Sequence, residues 1–214
     1  MNEEALNVQE AKEMSDNRFQ TAGWLAIVSA ILFPLGIVLR IGQGLIGFSK
    51  FRFNAPTFGP GEIVFLVYLV FIVYVLLMFR KLLNERYNLH DLDALILISI
   101  WWGIIFQAGS YILWGLFALM SPPVSEAAIG ITYFLFKAVA MITIGVVDIL
   151  IAVKLLKIKE ILNDLLKAFA IISLAAGICE LTVILSPISW ILVPVSCIII
   201  GMMLLQENEG LEFV

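Results

Sequence analysis

A single histidine, His90, leaves little room for metal or triad chemistry in this chain of 214 residues. One imidazole cannot assemble a zinc site when the two cysteines, Cys179 and Cys197, lack CxxC spacing and fall inside apolar runs. Those thiols are expected to behave as small buried apolar side chains, and no disulfide framework follows from them. His90 stands between Leu89 and Asp91 in a charged connection, where a solvated polar turn is the physical expectation. A Ser-His-Asp triad would have to rest on it, away from the buried polar residues. A pair of aspartates sharing a proton is missing too, because Asp148 has no second Asp in its run and Glu180 is expected toward the opposite leaflet. Gly42, Gly44 and Gly47 spell GxGxxG, but after an apolar run rather than a strand, so they read as helix termination and close packing. No catalytic residue, cofactor or metal is predicted, and the chain does not read as an enzyme.

Charge is equally scarce, at 14% of residues, while 62% are hydrophobic and mean hydropathy is +1.04. Soluble domains are about half apolar and a quarter charged, so this composition is that of an integral membrane protein. The acidic opening residues Glu3 and Glu4 lack the basic start of a signal peptide, and no cleaved leader is expected. Net charge is −4, with acids gathered at both ends. Three regions follow: a polar N-terminal segment at 1–20, a membrane domain at 21–206 and an acidic tail at 207–214. The lipid bilayer is the expected partner, and nucleic acid is not.

Six runs are long enough to cross a core of about 30 Å at 1.5 Å per residue. They are Thr21 to Leu39 with a continuation toward Phe48, Ile63 to Phe79, Ala94 to Met120, Ala127 to Val153, Leu165 to Leu185 and Ile188 to Leu205. The fold class expected is therefore an all-α membrane protein of six transmembrane helices. Arg80, Lys81 and Arg86 follow the second run, and Lys154, Lys157, Lys159 and Lys167 flank the fourth connection. Residues Ser121 to Glu126 and Ser186 to Ile188 carry no Lys or Arg, so the positive-inside rule places both termini on the cytoplasmic side of the cell membrane. Arg40, Lys50 and Arg52 oppose that sum, and Phe48, Phe51, Phe53 and Phe58 interleave with them as in an interfacial loop. Trp24 and Trp190 are expected as interfacial anchors, and Trp101, Trp102 and Trp114 as packing and lipid-facing residues.

Two connections resemble each other. Lys81-Leu82-Leu83, Asp91-Leu92 and Ser99 with Gly103 correspond to Lys154-Leu155-Leu156, Asp164-Leu165 and Ser173 with Gly177, with one residue of slippage. Read as a duplication, runs two and three form one hairpin and runs four and five another. Both serine–glycine pairs, and Ala22, Ala26 and Ala30, are small-residue stripes that let helices approach closely.

The candidate site is a set of polar residues at membrane depth: Asp148, Gln107, Lys137, Glu180 and Arg40. A charge at the centre of a spanning helix costs about 2.5 to 3.5 kcal/mol on insertion scales, so each needs protein or water around it. Counting from run ends puts Lys137 and Glu180 at similar depths on neighbouring helices, where they can pair. Asp148 lies eleven residues beyond Lys137, about 16 Å along the helix, and a snorkelling Lys154 points away from it. Without a cation its neutral form is favoured. Gln107 and, if the first helix continues, Arg40 extend the polar set, and Pro34 can free a carbonyl for it. The leading expectation is translocation of a small ion or solute, linked to protons through Asp148. The alternative is an accessory or scaffold protein, paired with its own copy or a membrane complex, whose buried charges specify helix packing.

Overall fold

The computed structural model describes residues 3–49, 59–119, 126–158, 163–182 and 184–206. It is all-helical among the described residues: α1 Glu3–Ser49, α2 Pro60–Tyr87, α3 Asp93–Leu119, α4 Glu126–Lys157, α5 Asp164–Leu181 and α6 Ser186–Leu205, with a 3-10 turn at His90–Leu92. Five segments are long and apolar enough to cross a membrane: Asn17–Gly42 of α1, Pro60–Tyr87, His90–Leu113, Phe134–Lys157 and Ser186–Leu205. The sixth candidate, α5, has 18 residues and carries Asp164, Lys167 and Glu180. Its rise of about 27 Å approaches the thickness of a bilayer core.

Local sequence explains where several helices start and stop. Gly59 is extended and Pro60 occupies the first turn of α2, where a missing N–H costs nothing. The helix ends at Asn88 in the left-handed region (φ 52°), whose N–H closes on the Leu83 carbonyl. Asn163 caps α5, its side-chain oxygen accepting from the Leu166 N–H at 2.8 Å. Pro34 and Pro194 remain inside α1 and α6.

Each helix contacts its successor, and α6 closes onto α1, so contacts run in a ring. One continuous apolar core gathers Phe19 and Ala22 of α1, Phe79 and Leu83 of α2, Leu92 and Ile96 near the start of α3, Leu155 of α4, Leu166 of α5 and Leu204 of α6. All of these lie near one end, called here the basic end because Arg80, Lys81, Lys154, Lys157 and Lys167 surround it. Large apolar side chains elsewhere face outward, among them Trp24, Ile31, Val70, Trp101, Phe134 and Ile191, which is the lateral surface expected of a protein surrounded by lipid.

Several expectations change. The GxGxxG glycines do not terminate a helix, because α1 continues without interruption to Ser49. The N-terminal polar segment from Glu3 onward belongs to that same helix. The fifth helix stops at Leu181 rather than Leu185. The proposed interfacial loop at 50–58, with Lys50, Phe51, Arg52, Phe53 and Phe58, lies outside the described residues, as does the acidic tail from 207.

The two serine–glycine pairs occupy unlike environments. A Cβ placed on Gly177 would lie 2.6 Å from the Gly145 carbonyl oxygen of α4, whereas one on Gly103 would meet only a Leu69 methyl at 3.9 Å. Helices α4 and α5 therefore touch backbone to backbone at that point, and α2 and α3 do not at theirs.

Candidate functional site

The backbone contact of α4 with α5 creates the central polar site. Gly145 and Gly177 face each other, and each has an acid one turn further along its own helix: Gly145-x-x-Asp148 on α4 and Gly177-x-x-Glu180 on α5. Residues three apart share a helix face, so both acids look into the α4–α5 seam. A Cβ on Gly145 would lie 3.2 Å from the Glu180 Cβ, which fixes Glu180 against the crossing. Because the helices run antiparallel, each acid's position falls about 4.5 Å along the axis from the crossing, on opposite sides. Side chains of a helix lean toward its N-terminus, so Asp148 and Glu180 lean toward each other. Asp148 lies within electrostatic range of Glu180.

Two more polar groups lie near this pair. Tyr68 of α2 lies within electrostatic range of both acids. Ser189 of α6 is buried, and its hydroxyl approaches the Glu180 carboxyl while donating to the Ser186 carbonyl at 2.7 Å. Glu180 itself is only 8% exposed, and its Oε2 is buried with no hydrogen-bond partner. A buried carboxylate oxygen in that condition is costly unless a proton or cation completes it.

Glu180 and Asp148 were expected toward opposite leaflets, and they do fall on opposite sides of the crossing, with less axial separation than the count gave. Aligning the two runs at their middles, near Ala140 and Ala175, differs from the register that the Gly145–Gly177 contact sets. Lys137 lies eight residues from Gly145 along α4, about 12 Å of rise toward the other end.

A second polar cluster ties α1, α2 and α3 at the end away from the basic residues. Arg40 forms an ion pair with Glu62, and its guanidinium carbon stands 3.8 Å from the Phe65 ring centroid. Tyr111 donates to the same carboxylate oxygen of Glu62 at 3.0 Å, and Gln107 donates to the Tyr111 hydroxyl at 2.7 Å. The chain Arg40–Glu62–Tyr111–Gln107 thus joins three helices. Gly61 makes room for it, since a Cβ there would lie 3.0 Å from the Arg40 Cγ.

At the basic end, Arg80 makes a two-pronged pair with Asp93 at 2.7 and 2.9 Å, and Asn84 adds a bond to Asp93 at 2.8 Å. Lys154 donates to the Asp91 carbonyl at 2.8 Å, pointing away from Asp148 as expected. An open pocket of about 290 Å³ lies here, lined by Leu77, Arg80, Lys81, Asn84 and Glu85.

The five residues singled out from sequence therefore fall into separate places. Asp148 and Glu180 share the α4–α5 seam, Arg40 and Gln107 belong to the second cluster, and Lys137 lies eight residues before Gly145 on α4. Glu62, Tyr111, Tyr68 and Ser189 were missed. Glu62 sits immediately after Pro60-Gly61, where it reads as part of a loop, and tyrosines and serines are too common in apolar helices to stand out. The repeated Gly-x-x-acid turn was the available signal. Among the described residues no group of three or more His, Cys, Asp or Glu could hold a metal ion. No protein-family model, curated protein or solved structure matches the chain.

Proposed function

We propose that the protein is a six-span membrane protein that translocates a small ion or solute, with proton linkage through Asp148 and Glu180. The observation that carries this reading is the Glu180 carboxylate, buried beside Asp148 with one oxygen unpartnered. Ionisable residues at membrane depth mark ion and proton pathways by default, and an adjacent pair can pass a proton between two depths. The Lys and Arg distribution supports an orientation with both termini on the cytoplasmic side, in a cell membrane. The basic end with its continuous apolar core is then the cytoplasmic closure, and the Arg40–Glu62 cluster lies toward the outside.

Reconstitution into proteoliposomes tests this. A pH gradient should drive flux through the wild type, and Asp148→Asn should reduce it at least about tenfold while the variant stays folded, the loss expected of a proton-transfer group. Undiminished flux in that variant would remove Asp148 from the pathway. The accessory reading has its own support in the Arg40–Glu62 and Arg80–Asp93 ties, which connect neighbouring helices without needing transport. It predicts no flux at all, with stability lost when either tie is broken.

A further inference from the structure

We propose that the pocket at the basic end of α2 binds one zwitterionic phospholipid with a primary amine, phosphatidylethanolamine in chemical class, its chains lying along α2 and its headgroup spanning Lys81 and Glu85. The site rests on α2 crossing a bilayer and does not require that anything be translocated. The pocket of about 290 Å³ is open and lined by Leu77, Arg80, Lys81, Asn84 and Glu85. At about 30 Å³ per liquid water, it has room for a group of about ten heavy atoms, the scale of a phosphoethanolamine headgroup. An apolar track leads to it. Ile63, Val67, Val70 and Leu77 are exposed, and their spacing of four, three and seven residues puts them on one face of α2. Lys81 and Glu85 continue the same face at further steps of four.

The order of chemistry along that face matches the order within a phospholipid. Leu77, Lys81 and Glu85 follow one another toward the basic end in rises of about 6 Å, apolar, then cationic, then anionic. A lipid reaching the pocket from the bilayer presents acyl chain, phosphate and amine in the same sequence. Lys81 is braced rather than consumed, its Nζ standing 5.3 Å from the Phe19 ring centroid of α1 and 3.6 Å from Oε1 of Glu85. A ring face takes no hydrogen from the ammonium, and 3.6 Å exceeds a hydrogen bond, so the Lys81 N–H groups can turn to a phosphate.

Charge selects the headgroup class. Each cation lining the pocket has an acid beside it: Arg80 is held by Asp93 at 2.7 and 2.9 Å, and Lys81 stands by Glu85. An anionic headgroup without an amine would set its phosphate against Glu85 with nothing to offset the repulsion. Choline carries its charge under methyl groups and has no N–H to give. A primary ammonium supplies three donors and the opposite charge, so it answers Glu85 while the phosphate answers Lys81.

The test is native mass spectrometry of the purified full chain in detergent, titrated with phosphatidylethanolamine, phosphatidylcholine and phosphatidylglycerol of identical acyl chains, and with soluble glycerophosphoethanolamine. The ethanolamine lipid should bind about fivefold more tightly than the choline lipid, the upper end for one exposed ion pair. Glu85→Gln should bring the two lipids level, and Lys81→Met, which keeps the apolar stem, should weaken both. Equal affinity for the two lipids in the wild type, or a preference that survives Glu85→Gln, overturns the site. Phosphatidylglycerol bound as tightly as the ethanolamine lipid would show a general basic surface and overturn it too. Soluble glycerophosphoethanolamine bound as tightly as the lipid would show a site for a free phosphate ester, against the lipid. Failure here is distinct from failure of translocation, because headgroup preference needs no flux and flux in proteoliposomes needs no headgroup preference.

Discussion

Glu62 shows how much one residue can organise. It receives the Arg40 guanidinium and the Tyr111 hydroxyl on a single oxygen, so α1 and α3 are both tied to α2 through it. Removing one hydrogen bond of this kind costs about 1 kcal/mol, and more when a charged acceptor is left behind. Tyr111→Phe should therefore lower stability by about 1 to 2 kcal/mol, whereas Glu62→Ala should cost more, because it strands the part-buried Arg40 as well. Chemical denaturation of the two variants in mixed micelles checks the order, and a Tyr111→Phe effect as large as that of Glu62→Ala would contradict it. The residue was hidden in the sequence by its neighbours. Pro60 and Gly61 signal a turn, and a carboxylate after a turn reads as solvated until the start of the helix is known. Asp148 and Glu180, by contrast, were visible at once, since a charge within twenty apolar residues needs a reason. What the sequence left open was their separation.

At the scale of helices, that separation depends on register, and register depends on Gly145 and Gly177. Span ends judged from composition are uncertain by a few residues, and on antiparallel helices such errors add. Aligning the middle of the fourth run, near Ala140, with that of the fifth, near Ala175, set Glu180 beside Lys137 and away from Asp148, whereas Gly145 meets Gly177. The small-residue rule correctly identified Gly177 as a close-packing position but chose Ser173 as its companion within the helix. Its structural counterpart is Gly145 on the neighbouring helix. Gly145→Ala would place a Cβ 2.8 Å from the Gly177 carbonyl oxygen and 3.2 Å from the Glu180 Cβ. Neither is the free end of a flexible side chain, so the helices must part, at a cost of about 1 to 3 kcal/mol typical of overpacking. Gly103→Ala, which meets only a methyl at 3.9 Å, should be close to neutral. Thermal unfolding of both variants distinguishes them, and equal destabilisation would refute the role assigned to the crossing. The same contrast argues against equating the α2–α3 and α4–α5 hairpins by sequence alone.

For the whole molecule, composition alone implied helices in a bilayer, and the helical fold with its apolar lateral surface agrees. Hydropathy identifies helices well because in lipid every backbone polar group must be satisfied within the segment. It says little about which helices touch, and the closure of α6 onto α1 was not foreseen. Orientation is the expectation at this scale. In a background with Cys179 and Cys197 replaced by alanine, cysteines introduced at His90 and Ser186 should react with an impermeant thiol reagent from opposite sides of the membrane, the first from the cytoplasm. Labelling of both from one side would contradict the six-span arrangement.

The most direct measurement concerns the acid pair itself. Infrared titration of the carboxylic-acid carbonyl stretch, in the wild type and in the single variants Asp148→Asn and Glu180→Gln, reports each acid with and without the other. Acids coupled across the Gly145–Gly177 crossing titrate as a pair, so neutralising Asp148 should move the Glu180 midpoint by about one pH unit or more, and the reverse variant should act alike on Asp148. If each acid titrates at the same pH whether or not the other is present, the two are not neighbours and the central claim fails.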